Sequence, residues 1–144
     1  MSPGRSCVHL KPDECRAIGV AVASAACRDA TVQTMIVTHL LDANDKDLAA
    51  LRRAVARRDW PDVQHCLHRI KGSAALARCT SLLAAGKSLE SAAGQGNAAV
   101  VNTLFPRYVA ILKEFSDTLS ALRPGRCHRP GDPAANAPAS GNLT

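Results

Sequence analysis

Aromatic side chains are scarce in this sequence of 144 residues, where one Trp, one Tyr and two Phe make up 3% of the chain. A β-sandwich or β-barrel usually builds its core from aromatic and β-branched residues, so the composition argues against an all-β fold. The hydrophobic fraction is 47% and is rich in Ala and Leu. Length and composition therefore predict one all-α domain with closely packed helices.

Membrane and secretion signals are also missing. No apolar run approaches the roughly 18 residues of a membrane span, and no basic start precedes an apolar segment as in a secretory signal. No C-x-x-C pair occurs, which is typical of reduced thiols. We therefore expect a cytoplasmic protein without membrane contact. The six cysteines are Cys7, Cys15, Cys27, Cys66, Cys79 and Cys127.

Metal and nucleotide motifs are absent as well. Two close Cys/His groups near the ends of the sequence, Cys7 with His9 and Cys127 with His128, lack the usual zinc spacing. Neither a Walker A pattern nor G-x-G-x-x-G occurs. We expect no bound metal, no cofactor of the chain's own and no ATP site.

The formal net charge is +6, from 18 Lys and Arg against 12 Asp and Glu. A basic balance suits nucleic acid, an acidic membrane surface or an acidic protein partner. One interpretation is a helical nucleic-acid-binding module that uses Arg52, Arg53, Arg57 and Arg58. The acidic residues, the missing helix-turn-helix pattern and the lack of stacking aromatics weaken it, so nucleic acid is not the expected partner.

The chain divides into three parts. Residues 1–28 read as a leader or linker, in which residues 13–26 predict a short helix. Residues 29–122 form the helical core. Residues 123–144, rich in Pro, Gly, Ala and Asn, predict a disordered tail because they have little apolar surface to bury.

Apolar residues recur at the helical period through the core. Residues 31–41 and 45–58 give two stretches, of which the first predicts one buried side made of Val32, Met35, Ile36, His39 and Leu40. A third helix begins near Trp60, Thr80 is predicted to cap the fourth and Asn97 the last. Pro106 predicts a kink or restart near Phe105. Short connections predict an antiparallel four-helix bundle with an additional N-terminal helix.

The segment around His68 carries the chemistry. His68 follows the core residue Leu67 and therefore lies at the flank of the buried stripe, rotated by about 100°. Lys71 and Gly72, three and four residues later, stand beside it. A neutral imidazole is a nucleophile near neutral pH, and Lys71 can meet phosphoryl charge. Alternatively, His68 is a solvated surface residue and Gly72 serves helix packing, although glycine costs a helix ~1 kcal/mol.

Residues 68–74 resemble the signature His-x-(Leu/Ile)-Lys-Gly-(Ser/Ala)-Ala of histidine phosphotransfer (HPt) domains, as found at the C-terminus of unorthodox hybrid sensor kinases. The similarity covers most of residues 29–122. Residues 47–51 and 58–60 resemble the family's preceding helix and turn, and Leu89-Glu90 matches its Leu-Glu pair. Arg78 departs from the pattern, because relatives commonly have glycine there. This end of the helix is therefore expected to be built differently.

The resemblance implies a role for each matching residue. His68 would be the phosphoacceptor, Lys71 would hold the phosphoryl oxygens, and Gly72 would clear space for the partner. Glu90 would orient the imidazole, unless it is simply solvated. Arg69 and Lys87 would add positive charge for partner binding, although Lys87 equally suits plain surface. His65 is interpreted as a bystander, since it lacks the following Lys-Gly.

The implied function is a phosphorelay step between His68 and receiver-domain aspartates. The expected partners are the receivers of a hybrid sensor kinase and of a response regulator, with Mg²⁺ on the receiver. Without an ATP site the chain is not expected to phosphorylate itself, and it would be a phosphocarrier, not an enzyme. If it is the cytoplasmic C-terminal part of a membrane-bound sensor kinase, its parent is a histidine kinase. A scaffold that binds receivers without accepting phosphate is the other alternative.

Overall fold

Five α-helices make up most of residues 8–123, the part of the chain that the computed structural model describes. In chain order they are α1 Pro12–Ala25, α2 Ala30–Arg57, α3 Trp60–Leu76, α4 Thr80–Gly94 and α5 Ala98–Ala121. No strand occurs within this range, which confirms the predicted all-α class. The tail predicted for residues 123–144 lies, apart from Arg123, outside the described residues.

Helices α2 to α5 form the bundle. α3 packs between α2 and α4, while α5 packs on α4 and closes against α2. Consecutive helices are joined by a few residues and therefore run antiparallel. α1 lies against α2, α3 and α5. The predicted four-helix bundle with an additional N-terminal helix is thus confirmed. None of the helices in residues 8–123 has both the length and the apolar character needed to cross a bilayer.

The second helix is continuous. The two stretches that the apolar pattern separates, 31–41 and 45–58, belong to one helix of 28 residues. Its start is capped by Asp29, whose carboxylate accepts hydrogen bonds from the backbone N–H groups of Thr31 and Val32 at 2.9 and 3.1 Å. No turn divides the stretches, because the chain between them keeps its helical hydrogen bonds.

The buried side of α2 is rotated from the predicted one. Val37, Leu40 and Asn44 are buried, whereas Met35 is 64% exposed and His39 is exposed. The prediction that His39 lies on the buried side is therefore wrong. Adjacent apolar residues in this stretch allow two neighbouring stripes with the same period, and packing against α1 and α5 selects the one that contains Val37.

The last helix passes through its proline. α5 runs for 24 residues with Pro106 inside it, so the helix does not restart near Phe105 as the sequence suggests. Pro106 has no N–H to offer to the carbonyl of Asn102. Burial of the side chains that follow outweighs this loss; these are Tyr108, Ile111, Leu112, Phe115 and Leu119. The start of α5 is capped as predicted, since the Asn97 side chain accepts from the backbone N–H of Val100 at 3.2 Å.

The start of α4 is capped from another helix. The N-cap residue is Cys79, which makes no side-chain capping bond, so the predicted cap by Thr80 is wrong. Instead, Glu14 of α1 accepts from the backbone N–H and the hydroxyl of Ser81, both at 2.6 Å, and from the hydroxyl of Thr80 at 3.1 Å. Burial alone would raise the pKa of Glu14, but these hydrogen bonds hold it below its ordinary value. A distant carboxylate thus meets the positive end of the helix.

The segment before α1 is held by α5. The Glu114 carboxylate accepts from the backbone N–H groups of His9 and Leu10 at 2.8 and 3.0 Å, and it lies 2.7 Å from His9 Nδ1. Burial would raise the pKa of Glu114, yet the hydrogen bonds from His9 and Leu10 bring it below its ordinary value. Leu10 is 2% exposed, and Ile18 and Val22 of α1 are 0% exposed. Residues 8–28 are therefore attached to the bundle.

α3 ends in a left-handed turn of the kind that usually contains glycine, but here the residue is an arginine. Arg78 has a φ of 58°, in the left-handed region that a Cβ disfavours. The N–H of Cys79 bonds to the carbonyl of Ala74 at 2.8 Å, and the N–H of Arg78 bonds to the carbonyl of Ala75 at 3.2 Å, as in a Schellman motif. This corrects the expectation of a different construction, because the arginine occupies the conformation for which glycine is preferred.

We expect Arg78→Gly to raise the free energy of unfolding by about 0.5–1 kcal/mol. Relief of a left-handed penalty of roughly 1–2 kcal/mol exceeds the extra unfolded-state entropy that glycine brings. Arg78→Ala is the control, since it removes the charge but keeps the Cβ, and it should remain within about 0.5 kcal/mol of wild type. Urea denaturation measures both variants. An equal gain from alanine would show that the charge, not the backbone, is responsible.

Candidate functional site

The candidate histidine lies in the middle of α3. Asp59 caps this helix by accepting from the backbone N–H of Asp62 at 3.2 Å, and Pro61 fits its first turn. One side of α3 is buried in the bundle, namely Val63, Cys66, Leu67, Ile70, Ser73 and Ala74. The opposite side, which carries His68, is exposed.

His68 and Gly72 stand one turn apart on this exposed side. A Cβ added to Gly72 would meet nothing within 4 Å. Packing within the chain therefore does not require glycine at this position, although helix propensity disfavours it. The interpretation of Gly72 as a helix-packing residue has no support here, and the surface beside the imidazole is open.

Arg69 points to the α2 side of α3. Its Nε donates to Asp47 Oδ1 at 3.0 Å and its Nη2 to the sulfur of Cys66 at 3.5 Å. The Asp47 side chain is 16% exposed, so the guanidinium is engaged within the chain. Arg69 therefore ties α3 to α2, and its charge is largely offset before any partner arrives.

Lys71 points to the α4 side. Together with Lys87 and Glu90 of α4 it lines a pocket of about 390 Å³ between α3, α4 and α5. The structure thus brings three of the residues singled out from the sequence to one place. The exposed face that carries His68 and Gly72 lies between this pocket and the Arg69–Asp47 pair, because Lys71 and Arg69 flank it on the helix.

Glu90 forms no hydrogen bond to the imidazole in the described part of the chain. Within residues 8–123 no hydrogen bond joins its carboxylate to His68; its backbone carbonyl accepts from the Gln64 amide at 3.5 Å. Glu90 is placed on the pocket side, with Lys71. The structure therefore offers no observation for an orienting role of this carboxylate.

Three further residues lie at the site in the structure, where the sequence alone does not place them. Asp47 holds Arg69, and Gly86 and Tyr108 line the pocket beside Lys71. Gly86 had a usable signal, because glycine inside a helix carries the same penalty as at Gly72. Tyr108 had none, since it fits the apolar stripe of α5.

The thiols near the site are not nucleophiles. Cys66 is fully buried, and burial, followed by the charge of Asp62, raises the pKa of its thiol. Cys79 is also buried, which raises its pKa to about 12. Both therefore stay protonated and unreactive. In the described range the free cysteines are Cys15, Cys27, Cys66 and Cys79.

The arginines at the end of α2 do not form a uniformly unpaired patch. Arg57 lies 3.3 Å from Asp62 and 3.9 Å from Asp59, while Arg52, Arg53 and Arg58 are exposed. As for metals, residues 8–123 contain no group of three or more His, Cys, Asp or Glu side chains placed to hold an ion.

A bundle of antiparallel helices with a single exposed His-x-x-Lys-Gly segment on one of them has the form of a phosphocarrier domain. A family model described as the Hpt domain matches residues 35–124, which is more than half of the chain. The chain belongs to the Hpt, or histidine phosphotransfer, family, whose members carry phosphoryl groups in two-component signalling and interact with receiver domains. α1 lies before the matched residues. Comparisons with curated proteins and with solved structures gave no match.

Proposed function

We propose that this chain is a phosphorelay intermediate in which His68 accepts a phosphoryl group from the aspartate of one receiver domain and passes it to that of another. The donor would be the receiver of a hybrid sensor kinase, and the acceptor that of a response regulator. The observation that supports this best is the exposed His68 with open space above Gly72 on the next turn.

The proposed step needs few groups from this chain. Nε2 of His68 attacks the phosphorus of the aspartyl phosphate, a P–N bond forms, and the P–O bond to aspartate breaks as the carboxylate leaves with its electron pair. Lys71 stabilises the phosphoryl oxygens. The receiver supplies Mg²⁺, and the reverse reaction delivers the group to the second receiver. Positioning and charge neutralisation account for most of the rate in such transfers.

Charge on the α4 side of the site suits this partner. Within residues 8–123 neither Lys71 nor Lys87 forms an ion pair, so both ammonium groups are available. Receiver active sites are acidic, and complementary charge speeds association. Arg69 contributes less, because Asp47 already pairs with it.

The direct test mixes the protein with a receiver domain that is radiolabelled at its aspartate. Label should move to the protein and should be lost in acid but kept in base, as expected for phosphohistidine. Binding of receivers without transfer would favour the scaffold alternative. Neither binding nor transfer across a panel of receivers, with helical content confirmed by circular dichroism, would overturn the proposal and direct attention to salt-dependent DNA binding.

Substitutions at Gly72 should separate stability from transfer. Gly72→Ala is expected to raise the free energy of unfolding by about 0.5–1 kcal/mol, because the helix gains propensity and the added Cβ meets no atom. Gly72→Leu should retain stability but lower the transfer rate at least ~10-fold, since its side chain fills the space that the receiver needs. Urea denaturation and transfer assays on the same samples measure both effects. Unchanged transfer by the leucine variant would show that the partner does not use this space.

A further inference from the structure

The pocket beside Lys71 has the size and walls of a small-molecule site. Its volume is about 390 Å³, within the lower part of the range found for ligand pockets. Its walls come from three helices and are partly apolar, for example at Leu67 of α3 and at Leu82 and Leu83 of α4. A pocket of this size accommodates one substituted six-membered ring.

A tyrosine without a hydrogen-bond partner faces this pocket. Tyr108 is 2% exposed and lines the pocket, and none of the side-chain hydrogen bonds of residues 8–123 involves it. Burial raises the pKa of Tyr108, so the phenol stays protonated and remains a donor. The pocket therefore presents a hydrogen-bond donor that no protein group of residues 8–123 engages.

Gly86 keeps the tyrosine accessible. A Cβ at Gly86 would lie 3.4 Å from Tyr108 Cε1 and 4.0 Å from its hydroxyl oxygen. Any longer side chain at this position would therefore extend over the ring or into the pocket. Glycine inside α4 weakens the helix, but without a side chain at position 86 the approach to Tyr108 stays open.

The remaining polar groups of the pocket favour an anion. Lys71, Lys87 and Glu90 supply two positive charges and one negative charge. Since neither lysine forms an ion pair within residues 8–123, both are available to a carboxylate. Their pairing with an anion in a partly apolar pocket is stronger than it would be in open water.

We infer that this pocket binds a small aromatic carboxylate that carries a polar group at the far end of its ring. The carboxylate pairs with Lys71 and Lys87, the ring packs between the leucines, and the distal group hydrogen-bonds to Tyr108. A consequence, which rests on the proposed function of His68, is that the occupant takes the charge of Lys71 and slows phosphoryl transfer.

Binding can be tested without any transfer assay. The full-length ¹⁵N-labelled protein is titrated with 4-hydroxybenzoate, benzoate and phenol. We expect saturable shifts of the amides of Gly86 and Tyr108, with 4-hydroxybenzoate binding most tightly. Tyr108→Phe should weaken 4-hydroxybenzoate about three- to ten-fold, the effect of one hydrogen bond, while leaving benzoate nearly unchanged.

The lysines provide the complementary comparison. Lys71→Ala and Lys87→Ala should weaken benzoate but not phenol, whereas Lys113→Ala, which changes an exposed lysine of α5 outside the pocket, should change neither. Absence of shifts at Gly86 and Tyr108 with all three probes up to ~10 mM would overturn the inference. Equal affinity of the Tyr108→Phe variant would also overturn it, because the ligand would then not use the hydroxyl.

The transfer assay then separates the two proposals. Binding together with slower transfer supports both the site and its effect on Lys71. Binding with unaffected transfer contradicts the expected slowing of transfer but supports the ligand site. Binding by a protein that never accepts label overturns the proposed function of His68 while the ligand site stands.

Discussion

His68→Gln is expected to lose phosphoryl transfer by at least about 10³-fold, because glutamine has no nucleophilic nitrogen to form the phosphorus bond. The position is exposed on α3, so a polar side chain of similar length disturbs neither packing nor helix formation. Transfer from a labelled receiver, followed over time for both proteins, measures the difference.

His65→Gln is the matched control. His65 is also exposed, one turn earlier on the same helix, but it is not followed by Lys-Gly at the third and fourth positions. Its substitution should leave transfer within about two-fold of wild type, as for most surface changes. Equal loss in both variants would indicate a disturbed helix. Undiminished transfer in His68→Gln would identify another residue as the acceptor.

Ile18→Ala is expected to lower the free energy of unfolding by about 2–5 kcal/mol, the usual cost of removing a buried aliphatic side chain. Ile18 is 0% exposed in a helix that packs against α2, α3 and α5. Such a loss is a large share of the roughly 5–15 kcal/mol that stabilises a domain. Urea denaturation followed by circular dichroism measures it.

Val20→Ala separates packing from helix propensity in the same helix. Val20 is 66% exposed, so its substitution should change stability by no more than about 0.5 kcal/mol. If α1 were an independent segment, neither variant would change the unfolding of the bundle. A large effect of Ile18→Ala within a single transition would show that α1 and the bundle unfold together.

The helices could be predicted from the sequence because they depend on local patterns. Apolar spacing locates α3 and α5, and the Asn97 cap is a contact over three residues. The wrong predictions concern features that depend on contacts between residues far apart in the sequence. Nothing near Thr80 reveals that Glu14, 67 residues before Ser81, caps α4. Which side of α2 is buried, and therefore whether His39 is exposed, likewise depends on which helices pack against it.

The same distinction between local and distant contacts applies to the candidate site. His68, Lys71 and Gly72 share one helix, so their spacing alone places them side by side. Glu90 lies on the next helix, and its position relative to His68 depends on how α3 and α4 meet, which the sequence does not state. The link from Arg69 to Asp47 depends on the packing of α3 against α2, and the pocket lined by Gly86 and Tyr108 depends on α3, α4 and α5 packing together.

The attachment of residues 8–10 to Glu114 has a consequence for the order of folding. These contacts join positions 104 and 105 residues apart. On the ribosome the chain emerges from its N-terminus, so the first helix is made well before the glutamate that anchors the segment ahead of it. Pairing of α2 with α3, and then of α3 with α4, involves neighbours in the chain and closes short loops, which costs little entropy. The attachment of residues 9 and 10 to Glu114 therefore forms after the pairing of α2, α3 and α4.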